Sequence, residues 1–201
     1  MMQLKKQSRL FSRCFLPKGI VLLLFSFIFS SGAMFAQTGK ERQLADQYLN
    51  NAEYDKAAEL YDKLFDRDPF GTYPNYLRCL LSMKSFDKAE KLVRKISKKQ
   101  PDNLSYGADL GFVYLSSGQE QKANDQFERT IKLLRPDQGM ILSLANAFTM
   151  RQDWDHALAT YIEGKKLLRE RYSFNFEIAE VYYQKGDYTA MINEYLDAVE
   201  E

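Results

Sequence analysis

The chain has 201 residues, 45% of them apolar and 27% charged, with 28 basic and 27 acidic side chains, a mixture that belongs to ordered globular proteins and excludes a disordered tail. Five of the basic residues, Lys5, Lys6, Arg9, Arg13 and Lys18, fall in the first 36 positions, where no Asp or Glu occurs, so the remainder holds 23 basic against 27 acidic residues, a formal charge of about −4. That balance lacks the surplus of cations that drives phosphate binding by counterion release, so nucleic acid is not an expected partner.

The chain opens on a polar, basic stretch to Lys18. Ile20 to Phe29 then reads IVLLLFSFIF, and Ser30, Ser31, Gly32 and Ala33 lead to Met34-Phe35-Ala36-Gln37. A charged start, an apolar middle and a small-residue exit predict a secretory signal peptide over residues 1–36, cleaved after Ala36. Even counted from Ile20 to Phe35 the apolar segment has 16 residues, short of the roughly 20 a helix needs to cross hydrocarbon. No stable membrane span is therefore expected in the mature chain, and the absence of a cysteine directly after the apolar run argues against a lipid anchor. The expected location is the periplasm or cell envelope of a Gram-negative bacterium. With Cys14 removed, Cys79 has no bridging partner in the chain and reads as a small core residue beside Leu77 and Leu80.

Thr38-Gly39-Lys40-Glu41 follows as a capping-box pattern, placing the first helix directly behind the cleavage site. From there a period of about 34 residues governs the chain. Ala57, Ala89, Ala123, Ala157 and Met191 stand at spacings of 32, 34, 34 and 34. Four places after each come Tyr61, Val93, Phe127, Tyr161 and Tyr195; three places before come Tyr54, Phe86, Glu120, Trp154 and Tyr188. Twelve places before the anchors stand Ala45, Leu77, Gly111, Ala145 and Ala179, and three after those Tyr48, Leu80, Tyr114, Phe148 and Tyr182. Pro69, Pro101 and Pro136 mark the passage from one unit to the next, and Ser117-Gly118-Gln119 and Lys185-Gly186-Asp187 mark turns inside units. The pattern predicts helix pairs in which small residues let helix A approach helix B and the rings fill the space between units; no pair covers its own apolar face, so stacked units share one core.

A small residue, an aromatic, Ala-x3-aromatic and a closing proline at this spacing resemble the tetratricopeptide repeat (TPR) family. The resemblance covers residues 38–201 and departs most at Leu77 and Met191. It implies an all-α, right-handed α-solenoid of about five TPR-like helix-turn-helix repeats behind the cleaved signal peptide, with units near 38–69, 70–103, 104–137, 138–171 and 172–201. It also implies a concave face lined by the A helices, where a protein or peptide partner sits. By register that face carries Asp46, Leu49 and Asn50; Arg78, Leu81 and Ser82; Phe112, Leu115 and Ser116; Asn146, Thr149 and Met150; Glu180, Tyr183 and Gln184. Arg78, Phe112, Leu115, Asn146, Met150 and Tyr183 are the candidate partner-binding residues, with packing against a neighbouring A helix as the alternative for Phe112 and Leu115. Some TPR domains clamp a carboxylate with basic or neutral side chains; Asp46 and Asp109 at the corresponding places oppose that use.

No nucleotide loop, zinc-type histidine pair or nucleophile elbow occurs, and neither a metal nor an organic cofactor is expected. Asp153, Asp155 and His156 surround Trp154 where a helix begins, and read as a solvated helix start. An interaction scaffold of the cell envelope, without catalysis, is the leading expectation. INEYLDAVEE, residues 192–201, reads as the middle of a B helix, which suggests a last unit that is incomplete and a longer protein. The alternative function is accordingly the sensory or interaction segment of a longer membrane-bound signalling enzyme such as a sensor kinase. Self-association through the last helix, around Leu196 and Val199, is a further possibility.

Overall fold

A computed structural model describes residues 39–200. The basic and apolar leader, its expected cleavage after Ala36, Cys14 and Thr38 of the capping box lie outside the described residues. Within them the protein is all-α: α1 (39–50), α2 (Tyr54–Phe65), α3 (Pro69–Ser82), α4 (Phe86–Ser97), α5 (Ser105–Ser116), α6 (Glu120–Lys132), α7 (Gln138–Thr149), α8 (Trp154–Leu168), α9 (Asn175–Lys185) and α10 (Tyr188–Glu200), with a 3-10 turn at Arg169–Arg171. The helices follow one another as pairs, α1 with α2 through α9 with α10, in a TPR-like array. Each pair packs on the next, through α2 with α3, α4 with α5, α5 with α7 and α8 with α9.

Every pair is closed by the same turn. The N–H groups of Glu53, Ser85, Gln119, Asp153 and Asp187 donate to the carbonyls of Tyr48, Leu80, Tyr114, Phe148 and Tyr182 at 2.8 to 3.1 Å. The residue ahead of each donor is left-handed: Ala52 (φ 59°), Lys84 (54°), Gly118 (77°), Gln152 (59°) and Gly186 (75°). This is the Schellman arrangement, which satisfies helix carbonyls that would otherwise lack a partner. Glycine occupies the left-handed place in only two of the five turns. The side chains of Ala52, Lys84 and Gln152 adopt it at a cost of roughly 1–2 kcal/mol each, so the tertiary pairing of the helices outweighs local preference there. Immediately after the turn the B helices begin, on Tyr54, Phe86, Glu120, Trp154 and Tyr188.

Burial follows the register. Ala45, Ala145, Ala179, Ala57, Ala89, Ala123 and Ala157 are fully covered, and Tyr61, Val93, Phe127 and Phe148 nearly so. Gly111 gives the reason for small residues: a Cβ there would lie 2.1 Å from the Phe127 ring, a separation no side chain tolerates. Unit two resolves its departure from the pattern by exchanging sizes. Where unit three sets Gly111 against Phe127, unit two has Leu77 with Val93, and both are buried. Cys79 is buried and unbridged, its thiol pushed up to about 11 by loss of solvent, which suits a packing role.

The two helix types differ as their positions demand. In α4 the buried residues Ala89, Leu92, Val93 and Ile96 form one stripe at the i, i+3, i+4, i+7 spacing of a helix with a wet outer face. Asp87 in its first turn and Arg94 and Lys95 in its last complement the helix dipole. By contrast α5, enclosed by α4, α6 and α7, buries an unbroken run from Ala108 to Tyr114.

Candidate partner-binding face

The polar residues of the A helices are largely engaged within the solenoid. Arg42 of α1 donates to Asp68 Oδ2 at 2.8 Å, Thr72 Oγ1 at 3.1 Å and the Gly71 carbonyl at 3.0 Å, tying the first pair to the second. Asp46 accepts from the Tyr61 hydroxyl at 2.5 Å and from Asn75 Nδ2 at 3.2 Å. Asp109 is buried and accepts from the Tyr73 hydroxyl and the Arg151 guanidinium, both at 2.5 Å. Burial raises the Asp109 carboxyl above its ordinary range, against the opposing pull of Arg151 and Tyr73. Asp46 and Asp109 are thus cross-links between helices rather than open carboxylates, a role that only the partners Tyr61, Asn75, Tyr73 and Arg151 reveal.

Of the six candidate partner-binding residues, five stand on the surface. Arg78 and Asn146 are exposed, as are Leu115, Met150 and Tyr183 at 44%, 76% and 52%. They are distributed over α3, α5, α7 and α9 and the turn after α7; Asn146 and Met150 touch, through Nδ2 and Sδ at 3.8 Å. Phe112 is placed differently. Its ring is buried against Phe127 at 4.8 Å and Phe148 at 5.9 Å, with the Arg151 guanidinium 4.6 Å above it. It therefore packs against the neighbouring A helix, the alternative its register left open, while Leu115 one turn on remains uncovered.

A groove of about 600 Å³ opens where units four and five meet. Thr149 and Met150 form one side of it and Glu180, Val181 and Gln184 of α9 the other, all but Val181 at partner-facing places of the register. Its floor and end come from Trp154 and Tyr161 of α8 and from Phe176 and Glu177, none of which the register of A-helix positions identifies. Phe176 offered a signal, since a large ring precedes the small residue Ala179 by three places where other units have Arg42, Pro74, Ala108 and Leu142. It is 63% exposed.

The groove exists because the fourth pair ends differently. Helix α8 has 15 residues where α2 and α4 have 12, and it runs into the 3-10 turn. Arg169 (φ 55°) and Phe174 (φ 57°) both take a positive φ without glycine, Phe174 in the left-handed conformation, and Phe174 is buried against Tyr161 at 5.5 Å and Tyr172 at 4.7 Å. Helix α9 consequently packs on α8 and α10, whereas α7 has α5 and α8 as its principal neighbours, and the end of α7 stays open. Buried polar groups gather at the same junction. Lys165 donates to Asn175 Oδ1 at 2.6 Å and lies 3.8 Å from Glu194; the Tyr172 hydroxyl donates to Glu177 Oε1 at 2.7 Å. Asn175 Nδ2 and Glu177 Oε2 are buried without hydrogen-bond partners.

The acidic cluster around Trp154 does begin a helix. Asp153 accepts from the His156 N–H at 3.3 Å and lies 2.8 Å from its ring Nδ1. The imidazole, however, is packed on Phe127 at 4.6 Å and on Phe148 at 5.4 Å rather than solvated. Asp155 binds Lys185 of α9. Among the described residues no three metal-ligating side chains come together, and no helix is long and apolar enough to cross a membrane.

No family model matches the chain, and no curated protein does. Among solved structures, a crystal structure of MamA protein is 18% identical, with 81% of this chain and 90% of that one covered and a TM-score of 0.41. MamA from Desulfovibrio magneticus is 14% identical, with 81% and 93% covered and a TM-score of 0.42. Helix pairing and the repeated turn define the fold of this chain.

Proposed function

We propose that the chain is an exported interaction scaffold of the tetratricopeptide class, working in the periplasm or cell envelope of a Gram-negative bacterium and holding an envelope protein on its A-helix face. The observation that carries the reading is the groove at α7, α8 and α9, where Met150 and Phe176 stand 76% and 63% exposed. Apolar side chains left uncovered beside a polar rim are the usual anatomy of a contact patch. The leader from Lys5 to Ala36 supports export. The reading is binding rather than catalysis: His156, the chain's one histidine, is engaged by Asp153 and by two rings, and the A-helix carboxylates Asp46 and Asp109 hold neighbouring helices.

Fractionation of a Gram-negative host expressing the full chain tests the location, and a photo-cross-linking residue at Met150, compared with one at Lys98, tests the face. A processed periplasmic product that cross-links an envelope protein from Met150 and not from Lys98 is expected. Cytoplasmic retention, or equal cross-linking from both positions, overturns the reading. Self-association through α10 is a second contact mode, favoured by exposed Ile192, Leu196 and Val199 at 52%, 58% and 83%; a sedimentation coefficient independent of concentration removes it.

A further inference from the structure

We infer that the groove between α7 and α9 receives a lysine or arginine side chain of a partner polypeptide, flanked by apolar residues, and that this cation determines which segments dock. The inference rests on the reading of the groove as a docking site and names the chemistry of its occupant. Its walls are apolar and aromatic, from Met150, Trp154, Tyr161 and Phe176, and the charged side chains lining it among the described residues are the two carboxylates Glu177 and Glu180. Three cations of the surrounding elements are engaged elsewhere: Arg151 with Asp109, Lys185 with Asp155, and Lys165 with Asn175 and Glu194.

The two carboxylates act differently. Glu180 is exposed at the rim, where Gln184 donates to its Oε1 at 2.8 Å, and it can meet a cation directly. Glu177 lies deeper: Oε1 accepts from Tyr172, and Oε2 is buried without a hydrogen-bond partner. Such a group has lost water without gaining a full set of donors. A positive charge entering the groove interacts with it across protein instead of bulk water, where attraction is stronger. The ring faces add a second preference for the same ligand, since a cation over Trp or Tyr is favoured by the quadrupole of the ring. An anionic segment meets two like charges in the same space.

The full chain contains one tryptophan, Trp154, so its fluorescence reports occupation of this groove without a label. Three acetylated and amidated peptides share an alternating leucine frame and carry lysine, norleucine or glutamate in the other places. The lysine peptide is expected to shift the Trp154 emission and to bind about tenfold more tightly than the norleucine peptide at low salt, with the gap closing as salt rises. The glutamate peptide is expected to bind weakest. In E177Q/E180Q the lysine and norleucine peptides should bind alike, with the thermal melt unchanged. If the double variant does not fold, E180Q alone, altered on the exposed rim, should still lose about half of the preference in free-energy terms.

Equal binding of lysine and norleucine peptides to the native chain overturns the cation site and leaves the groove an apolar docking site. Tighter binding of the glutamate peptide, or full retention of the lysine preference in both variants, overturns it as well. An emission change on concentrating the chain alone identifies a second copy as the occupant and likewise overturns it. Failure of all three peptides, together with no specific cross-linking from Met150, removes the docking reading itself.

Discussion

The passage from α6 to α7 and the passage from α8 to α9 occupy the same place in successive repeats, and they are built in different ways. The first is a short connection in which Asp137 caps α7 by accepting from the Met140 N–H at 2.9 Å and Leu134 tucks into the core. Around it Phe112, Phe127, Phe148 and His156 form a continuous cluster of tilted and edge-on rings, and the Tyr73, Asp109 and Arg151 chain of hydrogen bonds joins α3, α5 and the end of α7. The second passage has an overlong helix, two residues of positive φ that are not glycine, and buried polar atoms without partners. Unit three to unit four is a place where the repeat satisfies itself. Unit four to unit five is a place where it does not, and there the surface opens into a groove. Strain and incomplete satisfaction concentrate where a structure is shaped for something other than stability.

The contrast makes quantitative demands, each measurable by urea unfolding of the full chain. The largest concerns the ring cluster: Phe127→Ala should cost about 3–5 kcal/mol, because the cavity lies between four helices that cannot collapse into it. Next, Arg151→Met should cost about 3 kcal/mol by leaving a buried carboxylate without its cation, and Asp109→Asn in the same chain should restore more than half. That variant also has a defined pH dependence. Asp109 has a folded pKa above its unfolded value of about 3.9, so the native state holds the proton more tightly. Its contribution is therefore full below the unfolded value and is lost as pH rises through the folded one. Without the opposing Arg151 that loss deepens, so the deficit of Arg151→Met should be smaller at pH 4 than at pH 7. A deficit that grows on acidification contradicts the assignment.

Smaller effects belong to the turns. Gly118→Ala and Gly186→Ala should each cost about 1 kcal/mol, while Lys84→Gly and Gln152→Gly should gain up to about 1 kcal/mol, the left-handed backbone being the same in all four. The smallest effect is expected at the open junction, where Phe176→Ala should change stability by less than about 0.5 kcal/mol because the ring is already in solvent. A loss there as large as that of Phe127→Ala erases the distinction between the two passages.

Much of the fold is legible in the residues alone. The burial of Gly111 and the alanines and the closure at Phe127 follow from a period that matches one helix pair, because a residue type at such a place answers to a matching neighbour in units one to four, whereas Tyr195 at the ring place of unit five is 39% exposed. The groove is less legible. Met150, Glu180 and Gln184 stand where the register puts them, yet Trp154, Tyr161 and Phe176 enter from positions whose ordinary duty is packing. Of the latter three only Phe176 is exposed, Trp154 being half-buried and Tyr161 buried, and that they line one groove comes from the placement of α9, which is a property of one connection and not of the period.

Periodicity and local chemistry were thus sufficient to define five helix pairs and the inward faces of their helices, since helix geometry converts spacing into direction without reference to distant residues. They could not define which inward residues remain available. Phe112 is covered while Leu115 is not, Asp46 and Asp109 are held by hydroxyls and Arg151, and Arg42 belongs to Asp68, because availability depends on what neighbouring units bring to the same few ångströms. Partners of that kind are 15 to 42 places away in the chain, a separation at which only packing decides who meets whom.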